Sequence, residues 1–385
     1  MGKKLNKKKT NYNKRPFDFA LFIIVLLLLG MGIIMVLSAS SPLALSQDSS
    51  SYTYVFSQAK AAVLGITAML IISRIDYKLY ARFYKLAYFG SIVLLLLVLV
   101  PNLGFGAYGA RRWIKIPVFG SLQPSEVAKL GLIIFFAAYL TKTKDDLRSL
   151  LKGFFRPLCF LAVPIAIILF IQSHLSASAI IIITIAVMMI MAGCKFSHFA
   201  IFGGAGVVAG GGLLYFLAKK FGIGAYRLER LMAFMDPWAD PTDTGWQIIQ
   251  GLYAIGSGGL FGVGLGNSNQ KYQYISMPHN DYIFAVLAEE LGFVGCLVVI
   301  LLFAAFIWRG IIIAMKAPDM FGTLLATGIT TLIGSQAIIN IAVVTSSMPV
   351  TGISLPFFSY GGSSLVILLC LVGILLNISR QTNKI

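Results

Sequence analysis

The chain has 385 residues, of which 58% are hydrophobic and only 12% are charged. A soluble domain of this length would need far more charge on its surface, so the composition excludes a soluble enzyme or binding module and indicates a polytopic membrane protein. The net charge of +17 would suggest nucleic-acid binding in a soluble protein. Here much of the excess lies in short loops and tails, where it orients the spans and favours anionic membrane lipids, so we expect no nucleic-acid partner.

Apolar runs long enough to cross a bilayer recur about ten times and predict an all-α polytopic fold. The fifth and sixth runs are short and are separated only by "SHL", which predicts a tight hairpin. No small-residue cleavage site follows the first run, so we predict a retained helix and no cleaved signal peptide. The predicted spans cover residues 17–39, 54–73, 84–101, 125–141, 157–172, 176–193, 198–217, 283–308, 321–344 and 359–379.

Lysine and arginine set the predicted orientation of these spans. Basic residues fall on one side, in the N-terminal tail, loop 74–85, the stretch "KTKDDLRSLLKGFFR", at Lys195, at Arg309 with Lys316, and in the C-terminal tail. The positive-inside rule assigns that side to the cytoplasm, together with both termini. We therefore divide the chain into a basic cytoplasmic tail (1–16), a single transmembrane domain (17–379) and a cytoplasmic tail (380–385). One large outer loop, 218–282, lies between the seventh and eighth spans.

Cations also occur on the outer side, against this bias. Loop 102–124 carries Arg111, Arg112 and Lys115 around Trp113. Arginine supplies forked donors suited to phosphate, and tryptophan offers a surface on which a sugar can stack. We predict that this loop binds something anionic. The competing interpretation is that Trp113 is only an aromatic anchor at the membrane interface.

Three carboxylates lie at or beyond the start of the eighth span. Asp281, beside His279 in "PHNDYIF", is expected to be a helix N-cap at the outer mouth of that span, and capping alone would explain an aspartate there. The neighbouring histidine and the cationic loops favour catalysis as the alternative. Glu289 and Glu290 lie deeper, about 100° apart around the helix, so we predict that they cannot both face one partner. At least one is expected to pair with a cation or polar group inside the bundle.

The fourth span opens with "QPSEVAK", in which Pro124 suits the first helical turn. Glu126 and Lys129 are three residues apart, so they lie on one face of the predicted helix. Either charge would be costly alone near the bilayer, but the two together can be tolerated. Two interpretations stay open for them: an ion pair within the helix, or the wall of a polar cavity.

Two glycine-containing segments interrupt the apolar pattern. The stretch 256–266 has no GK[ST] signature, so we predict a compact turn or re-entrant segment and not a nucleotide loop. The stretch 349–365 interrupts a span with Pro and Gly, which is tolerated at membrane depth where the backbone lines a cavity. The four cysteines and three histidines have no zinc-type spacing, so no metal site is predicted. The residues together favour an outward-facing polar cavity for a lipid-linked phosphate, and leave transport and catalysis open.

Several long motifs resemble one family of membrane proteins. In chain order they are "GARRWI", "QPSEVAKL", "DPWADPTDTGWQ", "PHNDYIFAVLAEELG" and "MPVTGISLPFFSYGGSSL". They resemble the shape, elongation, division and sporulation (SEDS) family, which includes FtsW, RodA and SpoVE. The resemblance covers nearly the whole membrane region, includes the ten spans, and looks closer to the FtsW/SpoVE branch than to RodA.

The resemblance implies a peptidoglycan glycosyltransferase that polymerises lipid II at the outer face of the cytoplasmic membrane and releases undecaprenyl pyrophosphate. It implies a role at the division septum or in the spore cortex, with a class B penicillin-binding protein transpeptidase and other division proteins as partners. The catalytic aspartate of the family maps onto Asp281, and phosphate chemistry leaves open a divalent cation, Mg²⁺ or Mn²⁺. The expected substrate-binding residues are Arg111, Arg112, Trp113, Lys115, Glu126, Lys129 and His279.

Two positions depart from the family pattern. Gln172, Ser173 and His174 stand where members commonly carry Gln-Pro-Asp or Glu-Pro-Asp, and residues 276–278 are Ser-Met-Pro where Leu-Pro-Glu is usual. Both departures remove a fixed negative charge, which weakens a two-carboxylate or metal-binding mechanism. Two other functions compete: a lipid II flippase, which would need alternating access and often has internal repeats, and a non-catalytic scaffold of the division machinery.

Overall fold

The computed structural model describes residues 16–46, 50–101, 103–107, 110–116, 120–204, 225–272 and 274–382, together with positions 206, 211, 212, 215 and 216. Most of these residues are helical, and eight of the described helices are long and apolar enough to cross a membrane. This confirms the prediction of an all-α polytopic membrane protein.

The principal helices run in chain order and are numbered α1 to α11. They are α1 (Phe19–Ser46), α2 (Thr53–Ile72), α3 (Tyr84–Leu96), α4 (Pro124–Lys142), α5 (Arg156–Ala166), α6 (Leu175–Ala192), α7 (Ala225–Met235), α8 (Trp246–Ser257), α9 (Ile283–Met315), α10 (Met320–Val344) and α11 (Gly362–Gln381). A π-helical turn on each side extends α5, so that this span runs from 150 to 171. A 3₁₀ turn, Leu97–Leu99, extends α3.

The described helices agree with the predicted spans in order and approximate position. The predicted seventh span, 198–217, lies partly outside the described residues, where helical turns cover Phe196–Gly203. The number of ten spans and the orientation in the membrane therefore stay predictions. The predicted eighth span, 283–308, corresponds to α9. This helix continues to Met315, well past the expected end.

The bundle is densest around α4, α10 and α11, whose spanning parts are mostly buried inside the protein. Helix α11 packs along α2, α3 packs along α4, and α10 packs against both α6 and α9. By contrast, α1, α2 and α9 expose large apolar side chains such as Leu27, Val63 and Leu301. Such an apolar exterior is what a bilayer requires, because lipid tails replace water there.

Residues from distant parts of the chain meet at one end of the bundle. The Asp18 backbone N–H donates to the Ser379 hydroxyl (3.0 Å), and Arg309 forms an ion pair with the Asp18 carboxylate. The Tyr77 hydroxyl donates to Asp319 (2.8 Å). The start of α1, the end of α9, the start of α10 and the end of α11 therefore share one end, as their grouping by charge predicts.

A three-stranded antiparallel sheet covers part of the outer loop 102–124 and was not predicted. Its strands are β1 (Gly104–Ala107), β2 (Ala110–Ile116) and β3 (Gly120–Leu122), with β2 in the centre. The sequence "RRWIKI" alternates polar and apolar residues in part, which is the signal of a half-buried strand. The flanking glycines masked that signal and favoured a flexible loop instead.

Helix α9 is broken at Gly292, whose φ of 65° is not helical. The glycine-rich stretch 256–266 fills the break. The Val263 N–H donates to the Glu289 carbonyl (3.0 Å), and the Phe293 N–H donates to the Gly259 carbonyl (2.9 Å). The turn thus satisfies backbone groups on both sides of the break, which a helix interrupted in a membrane protein requires. The expected compact turn is confirmed.

The stretch between α10 and α11, residues 345–361, is not helical, as its Pro and Gly content predicts; we call it the junction segment. The amide of Gln58, from α2, anchors it in two places. Its Nε2 donates to the Ser359 carbonyl (3.2 Å), and its Oε1 accepts from the Gly361 N–H (3.1 Å). Buried side chains therefore supply the hydrogen bonds that a helix would have made within itself.

Candidate active site

Asp281 lies just before α9 but does not cap it. The N-cap position is occupied by Tyr282, and no side chain accepts from the first turn. The expectation of a helix cap is therefore wrong, because the helix begins one residue later than a cap at Asp281 requires. The carboxylate lies beside the junction segment instead, where Oδ2 is 3.4 Å from the position that a Cβ on Gly352 would take.

The backbone around Asp281 is held by α10. The Asn340 amide, Nδ2, donates both to the Asp281 carbonyl (2.7 Å) and to the Ile353 carbonyl (2.6 Å). One buried amide therefore fixes the aspartate and the junction segment relative to each other. Sequence reasoning missed Asn340, although an asparagine within a long apolar helix is a signal of an internal polar contact.

The electrostatic environment of Asp281 suits proton transfer. Burial raises the pKa of its carboxyl, while its own backbone N–H and the Arg230 guanidinium act in the opposite direction. A carboxylate is an efficient general base when its pKa approaches the operating pH, and burial moves this one in that direction.

His279 packs against the junction segment at Tyr360. Its ring is buried, 5.2 Å from the Tyr54 ring and 5.8 Å from the Tyr360 ring between centroids, and its carbonyl accepts from the Tyr360 N–H (2.9 Å). Burial lowers the pKa of His279 to about 4, so the imidazole is neutral near neutral pH. Its Nδ1 has no hydrogen-bond partner among the described residues. A contact with substrate stays a prediction.

Glu126 and Lys129 fulfil both interpretations that the sequence left open. Lys129 Nζ and Glu126 Oε1 are 2.7 Å apart, and the lysine is only 3% exposed. Glu126 also lines a small cavity together with Ser354 and Ser359 of the junction segment and Gln336 of α10. The ion pair is therefore part of a polar wall that faces the same segment as Asp281.

The Arg112 side chain donates hydrogen bonds to backbone carbonyls of the protein. Arg112 is the additional residue of a β-bulge in β2, and bulges re-aim a side chain. Its Nε donates to the Gln172 carbonyl (3.0 Å) and its Nη2 to the Ser173 carbonyl (2.7 Å). Arg112 thus anchors the sheet to the turn between α5 and α6, and its contact with substrate stays a prediction.

His174 follows that turn, at the position where a fixed negative charge is common in the family. Burial lowers its pKa to about 3, and the nearby cations Arg112 and Lys129 add to the effect. The side chain is therefore neutral near neutral pH. It supplies no anion to balance these cations, as the sequence indicates.

Arg111, Trp113 and Lys115 lie on β2, the central strand of the sheet. The Trp113 ring stacks on Phe105 with centroids 6.2 Å apart, and Lys115 Nζ lies 5.8 Å from the Phe105 ring. Arg111 and Lys115 are exposed. Among the described contacts, none joins these three side chains to the junction segment, and their contact with substrate stays a prediction.

Glu289 and Glu290 are both buried, and both pair inside the bundle as predicted for at least one of them. Glu290 Oε1 is 2.9 Å from Lys271 Nζ, while Glu289 Oε1 accepts from the Asn269 N–H (2.9 Å). The expectation that they cannot share a partner is wrong. Ser268 donates its hydroxyl to Glu289 and its N–H to Glu290 (3.4 Å), because one loop residue offers two donors that reach around the helix.

Comparison with known proteins identifies the family. The family described as "Cell cycle protein", which groups FtsW, RodA and SpoVE, matches residues 19–384. The chain belongs to this family. Stage V sporulation protein E of Bacillus subtilis (strain 168) is 43% identical over 321 residues, which are 83% of this chain and 85% of that protein. The probable peptidoglycan glycosyltransferase FtsW of Geobacter sp. (strain M18) is 43% identical over 325 residues, 84% of this chain and 86% of that protein.

Solved structures agree with this assignment. A chain of the structure "Structural coordination of polymerization and crosslinking by a peptidoglycan synthase complex" has a TM-score of 0.76 at 26% identity, covering 94% of this chain and 98% of that one. The crystal structure of the rod shape determining protein RodA of Thermus thermophilus has a TM-score of 0.68 at 25% identity, covering 96% and 98%. The resemblance stated from the motifs is confirmed.

Proposed function

We infer that this chain is a peptidoglycan glycosyltransferase. It belongs to the FtsW/RodA/SpoVE family, and curated relatives of about the same extent are named for this activity. The structural observation that carries the proposal is the position of Asp281. Its carboxylate does not cap α9, lies beside the junction segment, and has a pKa that burial raises.

The reaction is the polymerisation of lipid II at the outer face of the cytoplasmic membrane. The anomeric carbon of the growing strand carries the pyrophosphate leaving group, and a sugar hydroxyl of the incoming lipid II attacks it. As the new carbon–oxygen bond forms, the bond to the pyrophosphate oxygen breaks and its electron pair leaves as undecaprenyl pyrophosphate. Asp281 accepts the hydroxyl proton, which a weak nucleophile must lose. One displacement inverts the α-linked donor to a β-linkage.

The remaining site residues bind and orient the substrate in this proposal. Arg111 and Lys115 are exposed cations on the outer sheet and suit the anionic pyrophosphate, while Trp113 suits a sugar ring. Glu126 and Lys129 provide paired polar groups on the wall of the cavity beside the junction segment. His279 is neutral near neutral pH, and it supports the junction segment through its contacts with Tyr360.

A protein-held divalent cation does not fit the residues present. Among the described residues, no group of three or more His, Cys, Asp and Glu side chains is arranged to hold a metal ion. Asp281 lies near Arg230, a cation whose charge opposes the binding of a second cation there. No step of the proposed reaction depends on Mg²⁺ or Mn²⁺.

The partner in this proposal is a class B penicillin-binding protein that crosslinks the new strands. The structural relative from a peptidoglycan synthase complex, which joins polymerisation to crosslinking, supports it. Membrane lipids and other division proteins complete the expected surroundings. The similarity to both a sporulation protein and FtsW proteins supports a place at the division septum or in spore cortex synthesis.

The decisive experiment compares wild type with Asp281→Asn, a near-isosteric change that removes the base. Purified full-length protein, alone and with its class B partner, is given labelled lipid II, and the products are separated on a gel. Asp243→Asn, an exposed carboxylate in the same outer loop, is the matched control. We expect glycan chains from wild type and the control, and a rate at least about 100-fold lower from folded Asp281→Asn.

Two outcomes would contradict this proposal. Equal polymer from Asp281→Asn and wild type would remove Asp281 from catalysis. No polymer from any variant, while a control polymerase is active in the same assay, would favour a lipid II flippase or a scaffold. Transfer of labelled lipid II across vesicles by the purified chain would then separate those two alternatives.

A further inference from the structure

Arg230 is a cation of the outer loop that has no part in the reaction steps described above. It lies on α7, one of the two described helices within the large outer loop 218–282. Arg230 and Ala233 are three residues apart and share the side of α7 that faces the protein, where Ala233 is buried. The other side exposes Met232 and Met235 (63% and 77%). The half-buried Arg230 is thus directed inward from a helix with an apolar outer face.

The junction segment places Arg230 beside Asp281. Arg230 Nη1 donates to the Val350 carbonyl at 3.4 Å. Two residues further along, Gly352 meets the Asp281 carboxylate, with 3.4 Å between its Cβ position and Oδ2. Asn340 fixes the next residue, Ile353, to the Asp281 backbone. One short stretch, 350–353, therefore contacts both the Arg230 guanidinium and the residue that carries the carboxylate.

The shifted pKa values of two neighbours of Asp281, Tyr282 and His279, keep both side chains uncharged near neutral pH. Burial, and then the Asp281 charge, raise the pKa of the Tyr282 hydroxyl, and burial lowers the pKa of His279 to about 4. Tyr360 of the junction segment is a phenol that lies against the His279 ring, and Asn340 from α10 is a neutral amide. Arg230 is thus the charged group whose field opposes the effect of burial on Asp281.

We propose that Arg230 is a positioning residue for Asp281: from α7 it holds the junction segment at Val350 and sets its positive charge beside the aspartate, which keeps the carboxylate ionised as a base. The proposal rests on the function proposed above. It gives the outer loop a direct part in the reaction, because any displacement of α7 would remove the cation from the site.

The test is the pH dependence of lipid II polymerisation by the purified full chain with its class B partner, between about pH 5 and pH 9. Without the cation, the pKa of the Asp281 carboxyl rises, so Arg230→Gln is expected to lose activity on the acid side and to recover it on the alkaline side. A shift of about one pH unit makes the variant about ten-fold slower than wild type at the acid end and within about two-fold at the alkaline end.

Two further variants keep the test decisive. Arg230→Lys retains the charge but not the fork, and its acid limb is expected to coincide with that of wild type even if its maximal rate falls. Glu229→Gln, the exposed neighbour on the same helix, controls for a general effect of charge on α7 and is expected to match wild type. A purely structural role would lower the rate of Arg230→Gln equally at every pH.

The possible results separate this inference from the function on which it rests. A parallel pH profile for Arg230→Gln, with active wild type, would overturn the role of Arg230 alone. If Arg230→Gln does not fold, Arg230→Lys is compared with wild type instead. An acid limb of its pH profile that is shifted by about one pH unit, as expected for the loss of the charge, would also overturn the role of Arg230. No polymer from wild type would overturn the proposed polymerase and this inference together.

Discussion

At the scale of single residues, Asp281 lies beside a glycine, Gly352, whose backbone conformation favours glycine. Gly352 has a φ of 62°, a region that side chains with a Cβ disfavour. A Cβ there would also lie 3.4 Å from Asp281 Oδ2, in contact with the carboxylate. Backbone conformation and the position of the proposed base are therefore fixed by one residue.

Gly352→Ala is expected to reduce polymerisation by about ten-fold or more, because it strains the junction segment by about 1–2 kcal/mol and so displaces it from Asp281. The matched control is Gly362→Ala at the start of α11, where the nearest atom to a new Cβ is 3.6 Å away, an ordinary contact. The rate of lipid II polymerisation and the thermal midpoint in detergent measure the two effects. Equal rates for both variants would show that this glycine does not position Asp281.

At the scale of elements, the sheet β1–β3 and the turn between α5 and α6 act as one unit. The bulge in β2 aims Arg112 at the carbonyls of Gln172 and Ser173, and Ser173 has a φ of 48°. A non-glycine residue in this conformation needs support from its surroundings, which the arginine fork provides. The adjacent Arg111 is exposed and makes no such contact among the described ones.

The two arginines are therefore expected to separate in mutagenesis. Arg112→Ala removes two hydrogen bonds from a charged donor and is expected to destabilise the protein by about 1–3 kcal/mol. Arg111→Ala is expected to change stability by less than about 0.5 kcal/mol but to raise the KM for lipid II, if its guanidinium binds the pyrophosphate. Thermal unfolding and steady-state kinetics measure both variants. The opposite pattern would return Arg112 to the role of phosphate ligand.

The same elements explain what the sequence could predict. Long apolar runs fix helices because the bilayer allows few other structures, so α4, α6 and α10 lie close to where their runs predict. The breaks in glycine-rich stretches were also visible. The hydrogen-bond partners of buried side chains were not visible. The bond from Asn340 to the Ile353 carbonyl and the bond from Arg112 to the Gln172 carbonyl do not follow from sequence spacing, because they depend on how the elements pack. The sheet was missed because three short strands carry too little periodicity to outweigh their glycines.

At the scale of the whole molecule, a buried charge network joins the outer loop to the membrane bundle. Lys271 Nζ contacts Glu290 Oε1 (2.9 Å) from α9 and the Ser38 hydroxyl (3.1 Å) from α1, and it donates to the Gly266 carbonyl (2.6 Å). Both charged side chains are at most 3% exposed. The network lies next to the glycine-rich turn that fills the break at Gly292, so it secures the start of α9, and with it Asp281, against α1.

Removing one charge of this network should be far more damaging than removing both. Lys271→Met leaves Glu290 buried without its cation and is expected to cost about 3–5 kcal/mol, whereas Lys271→Met combined with Glu290→Gln recovers much of that loss. Lys316→Met, an exposed lysine at the end of α9, is the control and should be nearly neutral. Thermal midpoints of the four proteins in one detergent decide the matter. If the double variant is no more stable than Lys271→Met alone, the outer loop is held to the bundle by hydrogen bonds and not by the ion pair. The Ser38 hydroxyl and the Ser268 N–H donate these bonds to the Glu290 carboxylate, and a glutamine at 290 would not accept them equally well.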